Sequence, residues 1–157
     1  MHSYITFEFC DWQDTIHTNA FLELLNHYMI DPMGDHPPLG KEEQIKLIKG
    51  LKDHPTAEVL LMKKNNLYVG MATVFTNFST FNIQPYLYIH DVVVMDTYRG
   101  LGLGKQMIKY LTAVAKKRGY CKLSLEVRED NPGAQKVYQE LGFKECSPKM
   151  HYWEQKL

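Results

Sequence analysis

The sequence predicts a mixed α/β fold in which one β-sheet is flanked by helices. Two periodicities alternate along the chain, a two-residue spacing of apolar side chains typical of strands and a 3.6-residue spacing typical of amphipathic helices. The 157 residues suffice for one buried core, so the whole chain, 1–157, is predicted to be a single domain. The predicted element order is β-α-α-β-β-β-α-β-α-β, a mixed sheet with parallel pairing where a helix connects two strands.

The first part of the chain predicts a strand and two helices. Residues 4–9 (YITFEF) alternate apolar and polar side chains, as expected of a half-buried strand. Residues 14–29 repeat apolar side chains at helical spacing behind an aspartate cap. Prolines and glycines in residues 31–40 predict a loop, and a short helix follows over 41–51.

The middle of the chain predicts three strands and a helix. Residues 57–75 form two strands that turn at Asn65 and Asn66, because asparagine tolerates the positive φ of a tight hairpin. Residues 86–94 (YLYIHDVVV) form the third strand and lead into a glycine-rich loop. The helix after that loop ends at Gly119.

The last part predicts two strands around one helix. Residues 121–127 (CKLSLEV) read as a strand. Asn131 then caps a helix that has Pro132 in its first turn and ends at Gly142. Residues 150–156 (MHYWEQK) predict a closing strand.

Charge is unevenly distributed along the chain, although the net charge is zero. Residues 1–98 hold 6 basic and 12 acidic side chains (−6), whereas residues 99–157 hold 12 basic and 6 acidic (+6). This polarity favours an anionic ligand on the C-terminal half and a cationic ligand near the N-terminal half. The alternative is that the solvent-exposed faces of the two halves differ in charge by chance. The basic residues carry no RNA- or DNA-binding motif, so no nucleic-acid partner is expected.

Cysteine content and hydropathy predict a cytoplasmic protein. The three cysteines are odd in number and widely spaced, and the N-terminus lacks the pattern of a signal peptide. A core of this size needs neither disulfides nor a metal, and no metal is expected. No apolar run approaches the length of a membrane span, so no membrane partner is expected.

The glycine-rich sequence YRGLGLGKQ, residues 98–106, predicts an anion-binding loop. A Walker P-loop would need glycine at Arg99 and a hydroxyl at Gln106. A dinucleotide fingerprint would need glycine at Lys105 or Met107. Glycines let an anion approach the backbone closely, and the N–H groups of the helix start point outward, so another class of phosphate ligand is indicated.

The order of motifs in residues 87–143 resembles the acyl-CoA-binding half of the GNAT acetyltransferases. It comprises the strand HDVVV, RGLGLG as R-x-x-G-x-G, a helix, the strand KLSLEV, and NPGAQKVYQELGF. The rest of the chain resembles the family only in its pattern of elements. The resemblance implies a GNAT-like fold and an N-acetyltransferase that uses acetyl-CoA as cosubstrate.

The resemblance also implies a coenzyme site. Backbone amides of the glycine loop and the helix dipole would hold the pyrophosphate. Arg99 and Lys105 would add positive charge, although each is equally consistent with a solvated surface side chain. The pantetheine arm would lie where two neighbouring strands part. The residues implied are Val92, Val93, Val94, Arg99, Gly100, Leu101, Gly102, Leu103, Gly104, Lys105, Asn131 and Tyr138.

Acetyl transfer to an amine requires a base and a proton for the departing thiolate. Tyr138 matches the proton donor of many family members, although its helical spacing also suits a core aromatic. His90, which with Asp91 interrupts an apolar strand, is the first candidate base, and the alternative is a satisfied core histidine. Glu126 on the next strand is the second candidate base, and the alternative is that it is a surface carboxylate with no role in catalysis. A water chain to either residue would also serve.

The acceptor site is implied in the loop between the first two helices and in residues 75–86. Asp31, Asp35 and Phe81 are the candidate contacts for a small cationic amine, although the aromatic residues also suit packing. Resemblance to polyamine- and diamine-type enzymes favours such an acceptor, with protein N-termini, amino acids and aminoglycosides left open. A noncatalytic acyl-CoA-binding module is a further alternative, and a homodimer is expected by family analogy alone.

Overall fold

The computed structural model of the protein describes residues 4–157. The chain divides into two compact units, one ending at Glu126 and one formed by Val127–Leu157. The strands, all in the first unit, are β1 (Ile5–Phe9), β2 (Ala57–Lys64), β3 (Leu67–Ser79), β4 (Gln84–Val94) and β5 (Leu123–Leu125). The helices are α1 (Thr15–Met29), α2 (Lys41–Asp53) and α3 (Leu103–Lys117) in the first unit, and α4 (Pro132–Glu140) in the second.

The five strands form one sheet in the order β1-β2-β3-β4-β5. The first four strands pair antiparallel, whereas β4 and β5, which α3 connects, pair in parallel. The mixed sheet with flanking helices confirms the predicted fold class. The prediction of a single domain stays a prediction.

Helices cover both faces of the sheet, so the central strands are buried on both sides. On one face, α1 contributes Phe21, Leu24 and Leu25 to a buried cluster with Val59, Leu61, Met71 and Val93. Side chains that alternate with these along β2 and β3 point to the opposite face of the sheet. There α3 packs against β3 and β4 and contributes five buried side chains. Burying one such apolar side chain stabilises the fold by about 1.5–3 kcal/mol.

Three local signals in the sequence are confirmed by the backbone. The side chain of Asp14 accepts a hydrogen bond from the backbone N–H of Ile16 at the start of α1. Asn65 and Asn66 have φ of 50° and 67° in the β2–β3 turn. Asn131 caps α4 through the backbone N–H of Ala134, at 3.1 Å.

Two expectations about elements were wrong. Residues 150–156 form no strand, because a strand needs a partner ladder that an apolar pattern cannot supply. The connection between the third and fourth strands, predicted over 75–86, is shorter because β3 and β4 pair as far as Ser79 and Gln84. The role of this connection in acceptor binding stays a prediction. Within residues 4–157, no helix is both long and apolar enough to cross a membrane.

Candidate active site

A β-bulge in β4 falls at His90. Thr73 of β3 pairs with Asp91, whereas the next residue of β3, Val74, pairs with Ile89. His90 is therefore the extra residue and has no opposite partner on β3. Such a bulge changes the side-chain alternation of the strand that contains it.

The bulge brings the side chains of His90 and Asp91 to the same face of the sheet. Met71 and Val93, which pair with each other, belong to the cluster on the α1 face, and alternation places Thr73 and Asp91 on that face too. Ile89, paired with Val74, points to the opposite face, so its neighbour His90 returns to the α1 face. In a regular strand, two consecutive side chains would point to opposite faces.

His90 and Asp91 form a contact pair at this position. Nδ1 of His90 lies 3.1 Å from Oδ1 of Asp91, and their side chains are 54% and 20% exposed. The hydrogen bond that His90 donates to Asp91 raises the pKa of His90 above its ordinary 6.5, and the charges of Asp91 and Glu126 act in the same direction against the effect of partial burial. His90 is thus at the surface of the site, and the interpretation as a buried core histidine was wrong.

Aromatic rings and a second carboxylate surround this pair. The imidazole of His90 meets the rings of Phe75 and Tyr88 edge-on, with centroid distances of 5.8 and 5.9 Å. His54, just after α2, contacts Phe75 at 5.0 Å. The Tyr88 hydroxyl donates a hydrogen bond to Oε1 of Glu126 at 3.2 Å. Both candidate bases therefore belong to one aromatic and acidic cluster.

The ladder between β4 and β5 ends beside this cluster. Its last pair is Ile89 with Leu125, whereas β4 continues to Val94 along β3. Residues 92–94 thus extend past the parallel ladder, and Val93 is buried while Val92 and Val94 are partly exposed. This strand end leads into the glycine loop.

The glycine loop has the backbone that its sequence predicted. Gly100 and Gly102 have φ of 76° and 73°, in the left-handed region that favours glycine. An added Cβ at either residue would meet nothing within 4 Å, so the space above the loop is open. Gly104, Leu103 and Lys105 form the first turn of α3, whose N–H groups have no intrahelical acceptor. The exposed side chain of Leu101 lies between the two left-handed glycines.

Arg99 is paired with Asp31, a residue that was predicted to contact the acceptor. Nη1 of Arg99 lies 2.8 Å from Oδ2 of Asp31, and Nε donates to the carbonyl of Val94 at 3.1 Å. The backbone N–H of Met33 is the main cause of a lowered pKa of Asp31, and Arg99 adds to it. The guanidinium therefore ties the loop after α1 to the start of the glycine loop.

The remaining acceptor candidates lie on exposed turns. Asp35 has φ of 48°, and its N–H donates to the carbonyl of Asp31 at 2.9 Å. Phe81, in the β3–β4 turn, is 98% exposed. The structure thus places Asp35 on the same turn as Asp31.

In the second unit, α4 carries Tyr138 and begins after Asn131. Tyr138 is partly buried, and its ring lies 5.8 Å from that of Phe143 at an angle of 55°. The backbone N–H of Phe143 donates to the carbonyl of Tyr138 at 2.9 Å. Tyr138, the candidate proton donor, thus contacts the segment after α4 through both its ring and its backbone carbonyl.

Sequence reasoning missed the pairing of His90 with Asp91. The adjacent polar residues in an apolar strand were a visible signal, but Asp91 was not assigned a role. It was missed because adjacent strand residues normally face opposite ways and a bulge cannot be read from one strand alone.

Solved acetyltransferases share this fold. An aminoglycoside acetyltransferase from an uncultured soil metagenomic sample, solved in complex with sisomicin, superimposes with a TM-score of 0.80 over 98% of this chain and 97% of that chain. Its sequence identity is 16%, so the likeness concerns the fold alone.

Residues 19–143 match the model of the acetyltransferase (GNAT) family, to which the chain therefore belongs. It is an acetyl-CoA-dependent N-acetyltransferase, as the motif order predicted. The ribosomal protein bS18-alanine N-acetyltransferase of Haemophilus influenzae is 32% identical over 66% of this chain and 67% of its own length. The thialysine N-epsilon-acetyltransferase of Bos taurus is 34% identical over 47% of this chain and 43% of its own length.

Proposed function

We propose that the protein transfers the acetyl group of acetyl-CoA directly to a primary amine of a small cationic acceptor. The observation that carries this proposal is the cluster of His90, Asp91 and Glu126 with aromatic rings on one face, at the end of the β4–β5 ladder. A base, negative charge and ring faces are the groups that a small ammonium ion requires.

The glycine loop fits the pyrophosphate of the coenzyme. The two left-handed glycines leave open space, and the first turn of α3 offers N–H groups and the positive end of the helix dipole. Val92, Val93 and Val94 would offer backbone groups to the pantetheine arm, and Asn131 would contact the coenzyme from the loop before α4. The coenzyme supplies the activated thioester.

Gly102→Val and Gly104→Val are expected to weaken acetyl-CoA binding by about tenfold or more, because each side chain would fill the approach path of the anion. The loss of one charge-assisted hydrogen bond to the anion alone costs ~1.5–3 kcal/mol. Gly102→Val also strains a left-handed residue by roughly 1–2 kcal/mol, whereas Gly104, whose added Cβ would lie 3.9 Å from Val94, has room for it. Calorimetric titration with acetyl-CoA measures both variants.

Gly50→Val is the matched control, because Gly50 lies in α2 and an added Cβ there would also meet nothing within 4 Å. We expect this variant to bind acetyl-CoA as the wild type does. If Gly104→Val is folded and binds equally well, the glycine loop is not the pyrophosphate site.

His90 is the proposed base, and it takes the proton of the acceptor ammonium. Its half-exposed ring is accessible, and the two neighbouring carboxylates stabilise the imidazolium that forms. Glu126 is the alternative base, but in this structure it accepts a hydrogen bond from Tyr88. Tyr138 is the proposed donor of a proton to the departing thiolate.

The acceptor class is tested by thiol release from acetyl-CoA against a panel of diamines, neutral primary amines, amino acids and peptides. We expect turnover to be fastest with cationic amines, and their KM to rise with salt because exposed carboxylates such as Glu126 are screened. The KM of a neutral amine should change less. Equal salt sensitivity of charged and neutral acceptors would contradict the cationic-acceptor proposal.

A protein N-terminus is the second candidate acceptor, and the match to the ribosomal alanine N-acetyltransferase favours it. Turnover with peptides bearing a free N-terminus, and none with diamines, would establish this alternative. Binding of acetyl-CoA without thiol release against any member of the panel would instead indicate a noncatalytic module.

A further inference from the structure

The carboxylate beside His90 points to a second residue in proton transfer, and the inference rests on the proposed role of His90 as base. We propose that Asp91 is a positioning residue that holds the His90 imidazole in the tautomer with its proton on Nδ1. In that tautomer Nε2 keeps the lone pair that accepts the proton of the amine.

The contact itself selects this tautomer. An ionised carboxylate only accepts hydrogen bonds, so a neutral imidazole with Nδ1 at 3.1 Å from Oδ1 of Asp91 is favoured in the tautomer that carries its proton on Nδ1. Asp91 is the less exposed partner, with 20% of its side chain exposed against 54% for His90. Among residues 4–157, the described ion pair of His90 involves Nδ1, and no described hydrogen bond involves Nε2.

Within residues 4–157, the described contacts of the His90 Nδ1 atom are with Asp91. Phe75 and Tyr88 contact the His90 ring edge-on. Glu126 acts on His90 through its charge and is hydrogen-bonded to Tyr88, while His54 reaches the cluster through Phe75. The carboxylate of Asp91 therefore sets the tautomer, and Glu126 contributes only to the field.

The proton balance assigns one task to each residue. Nε2 of His90 takes a proton from the acceptor ammonium, and Asp91 stays ionised while it accepts from Nδ1–H. The amine nitrogen forms the bond to the acetyl carbon, the carbon–sulfur bond breaks, and Tyr138 gives a proton to the thiolate. After the new bond forms, the nitrogen loses a second proton to solvent, and solvent returns a proton to the Tyr138 oxygen. His90 then releases the proton that it took from the ammonium group to solvent.

The tautomer is measured directly by nitrogen NMR of histidine-labelled protein without substrates, with the His90 signals assigned from their absence in His90→Gln. We expect wild-type neutral His90 to be protonated on Nδ1. In Asp91→Asn, which keeps the side-chain shape, we expect a mixture of tautomers and a lower His90 pKa. Glu126→Gln is the matched control, since it removes the other carboxylate and should leave the tautomer unchanged.

The kinetic consequence is tested in the same variants. Asp91→Asn should lower the plateau of kcat/KM by more than about tenfold and move the acidic limb to lower pH, because part of the imidazole then presents N–H at Nε2. The double variant His90→Gln/Asp91→Asn should be no slower than His90→Gln alone, since Asp91 acts through His90. These results would support the proposal.

Three outcomes would overturn the proposal. They are a wild-type His90 protonated on Nε2, an Asp91→Asn variant with unchanged tautomer and pH profile, or additive losses in the double variant. The first needs no substituted residue at position 91, so it decides the matter even if Asp91→Asn does not fold. Absence of turnover in the wild type with every amine and peptide would refute the proposed function instead, while the NMR result would still decide whether Asp91 sets the tautomer.

Discussion

Tyr138→Phe is expected to lower kcat by about 10²–10⁴-fold, the usual contribution of a general acid or base. The substitution keeps the ring and its contact with Phe143 but removes the hydroxyl that would protonate the thiolate. Acetyl-CoA affinity should change little, since the hydroxyl acts on the departing sulfur rather than on the bound ground state. Steady-state kinetics with a saturating amine measure kcat, and calorimetry measures the affinity.

Tyr110→Phe is the matched control for the loss of a tyrosine hydroxyl. Tyr110 lies in α3 and stacks on Phe7 of β1, at the opposite edge of the sheet from β5, with centroids 4.6 Å apart. This variant should keep the wild-type kcat. A Tyr138→Phe enzyme that also keeps the wild-type kcat would exclude Tyr138 as the proton donor.

His90→Gln is expected to reduce turnover by about 10²–10⁴-fold and to remove the acidic limb of the pH profile. Glutamine cannot take up a proton near neutral pH. In the wild type this limb should lie above pH 6.5, because the hydrogen bond with Asp91 raises the pKa of His90 and the protonated ring cannot act as a base. Activity should therefore rise as the pH passes upward through the raised pKa.

Glu126→Gln separates the two candidate bases. The substitution removes a carboxylate that raises the pKa of His90. The acidic limb of the pH profile of this variant should therefore persist and move to lower pH. An unchanged profile in His90→Gln, together with loss of the limb in Glu126→Gln, would transfer the role of base to Glu126.

Local elements of the fold were predictable because their signals lie within a few residues of each other. Asp14 and Asn131 cap helices that begin directly after them, and Asn65-Asn66 form the turn that their conformational freedom predicts. The left-handed glycines of the glycine loop were likewise visible as Gly100 and Gly102. Each of these signals acts on the adjacent backbone alone.

The features that depend on distant partners were not predictable from one sequence. The pair of Asp31 with Arg99 joins residues far apart in the chain, and the bulge at His90 depends on how β4 aligns with β3. The false strand at 150–156 has the same origin, since propensity does not provide a neighbouring ladder. Candidate residues could therefore be named from the sequence, whereas the contact between His90 and Asp91 could be found only from the strand pairing.

The bulge has a consequence for how such an enzyme can change during evolution. Position 90 has no residue paired with it on β3, although its ring contacts Phe75 of that strand, so a substitution there alters no residue pair of the β3–β4 ladder. A point substitution there can replace the candidate base while the sheet keeps its alignment. A one-residue deletion at the same point would restore regular pairing and remove the position at which His90 lies beside Asp91 on one face. We therefore expect the residue at position 90 to vary more readily among related sequences than the length of β4 does.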